Sequence, residues 1–227
     1  VSTVDKTPID FPYIREESRA GFLGAQLVAV VADSSKGRIY LSPNQEHISI
    51  AQCNKPANYP DGHIFDWPGR INVFRYGMTQ FADLFTNRQL TVLTTLADTV
   101  AEIREHVLSD ALAAGMAHGE PLDDGGTGAQ AYADAIAVYL SLAVSRQTDY
   151  SSSICGWNIN REGVRNVFAR QAIPMAWDYA EVNPFSNSAG NFQRQTNWVA
   201  EAVENVPATP LCEAHQADAA TRDYTDV

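Results

Sequence analysis

Arg161, Arg165 and Arg170 recur at the spacing of helical turns, Trp177 is followed by Asp178 and Glu181, and Asn183-Pro184-Phe185 then enters a polar, glycine-containing turn. Guanidinium groups one turn apart can hold an anion or a phosphate, and two nearby carboxylates can move a proton. The same spacings describe a salt-bridged or solvated helix face, so the residues alone leave an anion site and an ion-paired scaffold both open. No nucleophile with a base, no metal cage and no phosphate-binding glycine loop sits in this stretch, and it supplies no catalytic residue.

His47 and His63 lie upstream without further ligands at metal spacing, so each reads as a surface or hydrogen-bonded histidine. Asp123-Asp124 beside three glycines lacks the alternating oxygen ligands and the terminal Glu of a calcium loop. Cys53, Cys155 and Cys212 are odd in number and far apart, with no C-x-x-C pair, which fits free thiols in a reducing compartment.

The elements that must position these residues are mostly helical. Val1 to Tyr13 reads as an extended lead-in. Val-rich Leu27–Ala32, a Gly-containing turn and the alternating Arg38–Ser42 predict a β-hairpin closed by Pro43. Gln45–Ala51 suits a short helix, and Lys55–Arg75 an irregular connection wrapped over the core by Phe65, Trp67 and Phe74. Thr86-Asn87-Arg88-Gln89 is a capping box. It starts a helix with Leu90, Leu93, Ala97, Val100, Ile103, Val107 and Leu108 on its apolar face and Asp98, Glu102, Glu105 and Asp110 turned outward.

Gly115–Gly128 predicts an exposed, flexible loop. The helix after it has a Tyr132, Ile136, Tyr139, Leu140, Ala143, Val144 stripe and alanines that permit close helix approach. Asn160 is placed as the cap of a helix that turns Val164, Val167 and Phe168 inward, and a further helix is expected over about Ile173–Val182, burying Trp177 and Ala180. Ser188 begins a helix with Phe192, Val199 and Val203 on one face, which Pro207 ends. Leu211–Gln216 is the pattern of a short strand. The expected fold class is mainly α (α+β): an N-terminal β-hairpin and irregular region over 1–75, a helical domain over 76–207, and the start of a sheet strand over 208–227.

The formal net charge of -11 lowers the expectation of nucleic-acid binding by bulk attraction, while leaving room for a local basic face. Val1 to Phe11 lacks an apolar signal core, and Gly21–Ala32 is about half of what a membrane crossing needs. A cytoplasmic location and no membrane partner follow as expectations. The chain opens on Val1 and not Met, and is expected to be a fragment of something longer.

Three collinear stretches, YGMTQFADLFTNRQLTVLTTLADTV, ICGWNINREGVRNVFARQAIPMAWDYAEVNPFSNSAGNF and HQADAATRDYTDV, together with FPYIREESRAGFLGAQLVAVVADSSKGRIYLSP, resemble the large adenine-specific DNA methylases described as containing a zinc ribbon. The resemblance covers nearly the whole chain. In that family a glycine-rich S-adenosylmethionine loop precedes this region and an Asp-Pro-Pro-Tyr tetrapeptide follows it; neither occurs here, and no cysteine pair stands near Val1–Thr7 to hold zinc. What the resemblance implies is an internal, mainly helical region of a DNA adenine-N6 methyltransferase, inactive in isolation. Its partners are DNA, reached through the parent enzyme, and the remainder of the methylase chain.

In that setting Arg161, Arg165, Arg170 and Arg194 contact backbone phosphates, Asn183, Pro184 and Phe185 fix a turn beside the site, and Asp218 presents a carboxylate to the S-adenosylmethionine of the parent enzyme. The alternative is a structural or protein-interaction helical module without nucleic-acid contact, in which these arginines are internal partners for Asp178 and Glu181.

Overall fold

A computed structural model of the protein describes residues 1–2, 4–206, 218 and 220–221. Among them are five α-helices and two two-stranded antiparallel hairpins, so the fold is mainly α with a little β. The expected strand over Leu211–Gln216 lies outside the described residues.

The chain does not open as an extended lead-in throughout, because α1 spans Phe11–Arg19. Asp10 caps it by accepting the Tyr13 N–H at 2.9 Å, and Pro12 sits in the first turn, where its missing N–H costs nothing. Short-range capping thus overrides the absence of apolar periodicity. The helix is docked by the Ser18 hydroxyl, which donates to the Tyr76 carbonyl at 2.5 Å, and by Arg19 Nε on the Arg75 carbonyl at 3.2 Å.

The first hairpin pairs β1 (Val30–Ser34) with β2 (Gly37–Leu41), Val30 opposite Leu41 and Ser34 opposite Gly37. Next comes α2, Gln45–Ala51, capped by Asn44, whose Oδ1 accepts the His47 N–H at 2.8 Å while the His47 ring accepts the Asn44 N–H. That capping box gives His47 a structural task. The connection that follows is irregular, with a short 3-10 turn at Val73–Tyr76. Its core residues are Ile64 and Val73, whereas Phe65 and Trp67, expected inside, are 73% and 52% exposed.

Ile64, Val73, Leu84 and Ile154 form a core cluster, and Ile71, Met78, Phe85, Val167, Ile173 and Met175 pack onto it. The cluster gathers residues far apart in sequence, so the segment after Ile154 is laid across the core by its own apolar side chains.

The long helix α3, Asn87–Ala113, starts at the capping box: Thr86 accepts the Gln89 N–H and Gln89 Oε1 accepts the Thr86 N–H at 2.9 Å. Leu90, Leu93 and Val100 are buried on its inner face, Ile103, Val107 and Leu108 are half-buried, and the four acidic residues are exposed. α4, Ala129–Gln147, packs against α3 on one side and against α5, Phe192–Asn205, on the other. Its alanines make the contact: Ala129, Ala131, Ala133 and Ala143 are buried while Tyr132 and Tyr139 are exposed. A helix squeezed between two others presents its small residues inward; of the expected stripe Ala143 is buried, Ile136, Leu140 and Val144 are half-buried, and Tyr132 and Tyr139 turn outward.

The loop between α3 and α4 is exposed yet tightly built. Ala129 and Gln130 N–H groups donate to the Ala117 and His118 carbonyls, so two otherwise orphaned donors at the start of α4 are satisfied by the loop. Arg104 of α3 forks onto Asp134 of α4, Nε at 2.7 Å and Nη2 at 2.6 Å from Oδ1, and the Leu122 N–H reaches Asp134 Oδ2 at 3.0 Å.

The Leu122 amide first and the Arg104 guanidinium second hold the Asp134 carboxyl below the ordinary range. A depressed carboxyl contributes stability that is present above its unfolded pKa and is lost as the pH falls through its folded pKa. Asp134→Asn is therefore expected to lower the thermal midpoint at pH 7, with the gap to the parent protein closing below about pH 4 in a calorimetric pH series. No helix among the described residues is long and apolar enough to cross a membrane.

Candidate functional site

The arginine-bearing segment is not helical. Trp157–Asn158 and Gly163–Val164 form a second hairpin, β3 and β4, with Trp157 opposite Val164. Asn158 Oδ1 accepts the N–H groups of Asn160 and Arg161 at 3.1 and 3.3 Å, an Asx-type turn that competes with the helix expected from Asn160. Glu162 takes φ 44° and completes the reversal. Arg161 thus stands at a hairpin tip and Arg165 just past β4, its N–H donating to the Gly156 carbonyl at 2.8 Å.

Asp149 holds the next piece of chain. Its Oδ1 accepts the Val167 and Phe168 N–H groups at 2.9 and 2.6 Å, and its Oδ2 the Asn166 side-chain amide at 3.1 Å. Arg170 follows in a turn, and Arg161, Arg165 and Arg170 are all exposed. Arg38 of β2 joins them from the other hairpin: its guanidinium lies 5.8 Å from the Trp157 ring centroid, while Tyr40 meets Trp157 edge-on at 6.1 Å. Unlike those three, Arg38 is the least exposed residue of β2 and is paired with Asp33 at 3.4 Å; sequence reasoning missed its place because Trp157 lies 119 positions away in the chain.

The helix expected over Ile173–Val182 is also absent. Ile173 instead bridges Ile71 in parallel, its N–H donating to the Arg70 carbonyl at 2.9 Å, and the Ala180 N–H donates to the Cys155 carbonyl at 2.7 Å. Backbone groups committed to distant partners cannot close helical turns. Trp177, expected buried, is 54% exposed, with its ring edge against Tyr76 at 5.1 Å. Ala180 is half-buried.

The paired acids separate in role. Glu181 accepts a fork from Arg88, at 2.8 Å from Nε and 2.5 Å from Nη2, while Arg88 Nη1 donates to the Ala51 carbonyl. This ties the C-terminal end of α2, the start of α3 and the strap before Asn183 into one junction. The hydrogen bond to Glu181 raises the Arg88 pKa, and burial raises that of neighbouring Tyr179, with the Glu181 charge adding to it. Asp178 is exposed. Glu181 is therefore a structural counter-ion, and its partner is Arg88, not one of the four candidate arginines. None of Arg161, Arg165, Arg170 and Arg194 belongs to an ion pair among the described residues.

Asn183 builds its turn as its type predicts: Oδ1 accepts the Phe185 N–H at 3.0 Å and its carbonyl accepts the Ser186 hydroxyl at 2.8 Å. Pro184 is buried and its carbonyl accepts the Phe192 N–H at 2.8 Å, which leaves Phe185 81% exposed on a pinned backbone. The cap of α5 is Asn191, three residues beyond the expected Ser188, and its Oδ1 accepts the Arg194 N–H at 2.8 Å. Fully buried Gln147 of α4 fixes this corner by donating to the Gly190 carbonyl at 2.8 Å and the Ser151 hydroxyl at 2.9 Å.

Along α5, the Arg194 guanidinium lies 5.1 Å from the Trp198 ring centroid and Arg146 of α4 lies 4.3 Å from it. An open groove of about 700 Å³ runs between the turn and this face of the helix, lined by Phe185, Gln193, Arg194, Asn197 and Trp198 among others. The four candidate arginines therefore divide: three belong to the hairpin and its loop, and Arg194 belongs to the groove.

Asp218 is exposed, and its Oδ1 accepts the Ala220 N–H at 2.9 Å. Cys155 is buried between Ser152 and the Asp149 carbonyl, and burial pushes its thiol pKa up, away from the thiolate form that acts as a nucleophile. Among the described residues no three His, Cys, Asp or Glu side chains gather as a metal site. No family model matches the sequence, and neither a curated protein nor a solved structure matches it.

Proposed function

We propose that this chain is the internal, mainly helical region of an S-adenosylmethionine-dependent DNA adenine-N6 methyltransferase, that it faces DNA, and that it does not methylate by itself. The observation that supports this most is the state of the arginines. In a chain of net charge -11, Arg161, Arg165, Arg170 and Arg194 are exposed and free of carboxylate partners among the described residues. Guanidinium groups left for solvent can displace counterions from phosphates, a contact that positions a duplex without reading its sequence.

On this reading the S-adenosylmethionine site belongs to the parent enzyme. Asp218 is a single exposed carboxylate with one oxygen turned back onto its own backbone, so its contribution to a cofactor site depends on the parent enzyme. When bound, that cofactor supplies the methyl group; the residues described here hold DNA and shape the wall around it. The cytoplasm is the compartment this reading implies, in keeping with the free thiols of Cys53 and Cys155.

A second reading, a helical interaction module, draws on the apolar surface of the N-terminal region. Phe22, Val28, Ile50 and Phe65 are each more than 70% exposed. In that reading the remainder of the methylase chain is the partner that covers these residues. The two readings meet different fates in one experiment. Arg161→Ala and Arg165→Ala are each expected to weaken duplex DNA binding by about three- to ten-fold at low salt, and to reduce the slope of log affinity against log salt by about 1. Unchanged affinity and slope in both variants would favour the interaction module.

A further inference from the structure

The first hairpin ends on a bare edge at β1. Its turn is Ser35-Lys36, so Ser34 and Gly37 form the closing pair. A closing pair around a two-residue turn exchanges its hydrogen bonds, and bonded and unbonded pairs then alternate along an antiparallel ladder. Val30 and Ala32 therefore bond inward to β2, while Val31 and Asp33 aim their N–H and C=O groups away from it. Nothing among the described residues meets those outward groups. The chain leading into the strand is equally unpaired: residues 23–29 are all exposed and make no backbone hydrogen bond among the described residues.

A free edge is a template for another strand, and proteins blunt such edges with charges, prolines or short strands. β2 is blunted in this way, since it has five residues, carries Arg38 and lies between Lys36 and Pro43. β1 is not. Residues 23–32 hold no charge and no proline, and Val28, Val30 and Val31 favour an extended chain. Charge also points to the occupant. From Gly21 to Leu41 the charged residues are Asp33, Lys36 and Arg38, and Asp33 is already paired with Arg38 at 3.4 Å, within a chain of net charge -11. Two copies of this chain repel over most of their surface and least along this edge.

We infer that residues 23–34 pair antiparallel with the same residues of a second copy of the chain, across a two-fold axis, and join the two hairpins into one four-stranded sheet. With the middles of the two edges aligned, Asp33 of each copy falls opposite the uncharged stretch of the other, so no like charges meet. The outer strands of that sheet are the two blunted β2 strands, which closes the assembly at two copies. Val28, 79% exposed in the single chain, gains cross-strand neighbours. The inference does not depend on the DNA-facing reading.

The test is sedimentation equilibrium of the 227-residue chain over about 1–200 μM, with a shift from one to two monomer masses expected and a Kd in the range of about 1–100 μM, as suits a small interface. Val28→Glu is expected to raise that Kd about ten-fold or more, because it sets a carboxylate into the paired edge of each copy. Ile50→Glu makes the same charge change at a 72% exposed apolar residue of α2 and is expected to change it less than about two-fold. Hydrogen exchange of the parent chain gives a second readout that needs no variant: Val31 and Asp33 amides should gain protection as concentration rises, while the Ala32 amide is protected throughout. A chain that stays monomeric over the whole range, equal losses in the two variants, or exchange at Val31 and Asp33 that ignores concentration would each overturn the pairing. Duplex binding enters none of these readouts, so a monomer that binds DNA removes the dimer and leaves the DNA-facing reading standing.

Discussion

Leu84→Ala is expected to lower the free energy of unfolding by about 2–5 kcal/mol, the range for emptying a buried leucine site. Leu84 is 3% exposed and lies in the cluster with Ile64, Val73 and Ile154. Its carbonyl also accepts the N–H and the hydroxyl of Ser153, at 2.7 and 2.9 Å, at the start of the segment that carries the arginines. A domain has roughly 5–15 kcal/mol of stability to lose, so the loss is a large share of the total. Urea unfolding should show a lower midpoint with the slope preserved. The strap from Val167 to Met175 packs on the same cluster, so its protection against hydrogen exchange should fall as well. A loss of unfolding free energy below about 1 kcal/mol would mean that the cluster is not the core that carries the strap.

Gly119→Ala is the second large effect. Gly119 has φ +68°, and a Cβ built on it would sit 1.6 Å from the Thr127 carbonyl oxygen. The left-handed backbone alone costs an alanine roughly 1–2 kcal/mol, and the collision with backbone forces the loop apart. Because that loop satisfies the Ala129 and Gln130 N–H groups, a total loss of about 2–4 kcal/mol is expected, concentrated at the start of α4. Gly115→Ala makes the useful comparison. Gly115 has φ +87° but open space around its Cβ position, so it should pay the backbone cost without the collision. Thermal melts of the two variants side by side separate the two contributions; equal losses would show that the loop is slack.

What could be read from the sequence is what neighbours in sequence decide. The Thr86–Gln89 capping box and the bounds of α2 each depend on residues within a few positions, and both are found where expected; the first hairpin is present too, with its turn narrowed to Ser35-Lys36 because Asp33 and Ser34 pair with Arg38 and Gly37. The segment from Arg161 to Val182 is the counterexample. Its arginines and acids fall at helical intervals, yet Asn158 closes a local turn, Ile173 is claimed by Ile71, and Ala180 by Cys155. Long-range backbone partners outbid a weak periodic signal, and nothing near Ile173 announces them.

The site was legible in the same uneven way. Asn183 as a turn former was readable from its type, and the structure gives it the expected hydrogen bonds. That Glu181 serves Arg88, 93 residues away, was not readable, because ion-pair partners are chosen by the fold. Nor was the placing of Arg146 and Arg194 about Trp198, which needs α4 and α5 side by side.

The measurement that bears most directly on the DNA-facing account is the salt dependence of duplex affinity for the unmodified chain. With a few phosphates contacted, log affinity should fall linearly with log salt, by about 0.9 for each phosphate neutralised, giving a total slope of roughly -3 to -4 for four arginines. A slope near zero, or no measurable binding at low salt, would contradict the account and leave the exposed arginines as ordinary surface on a protein-interaction module.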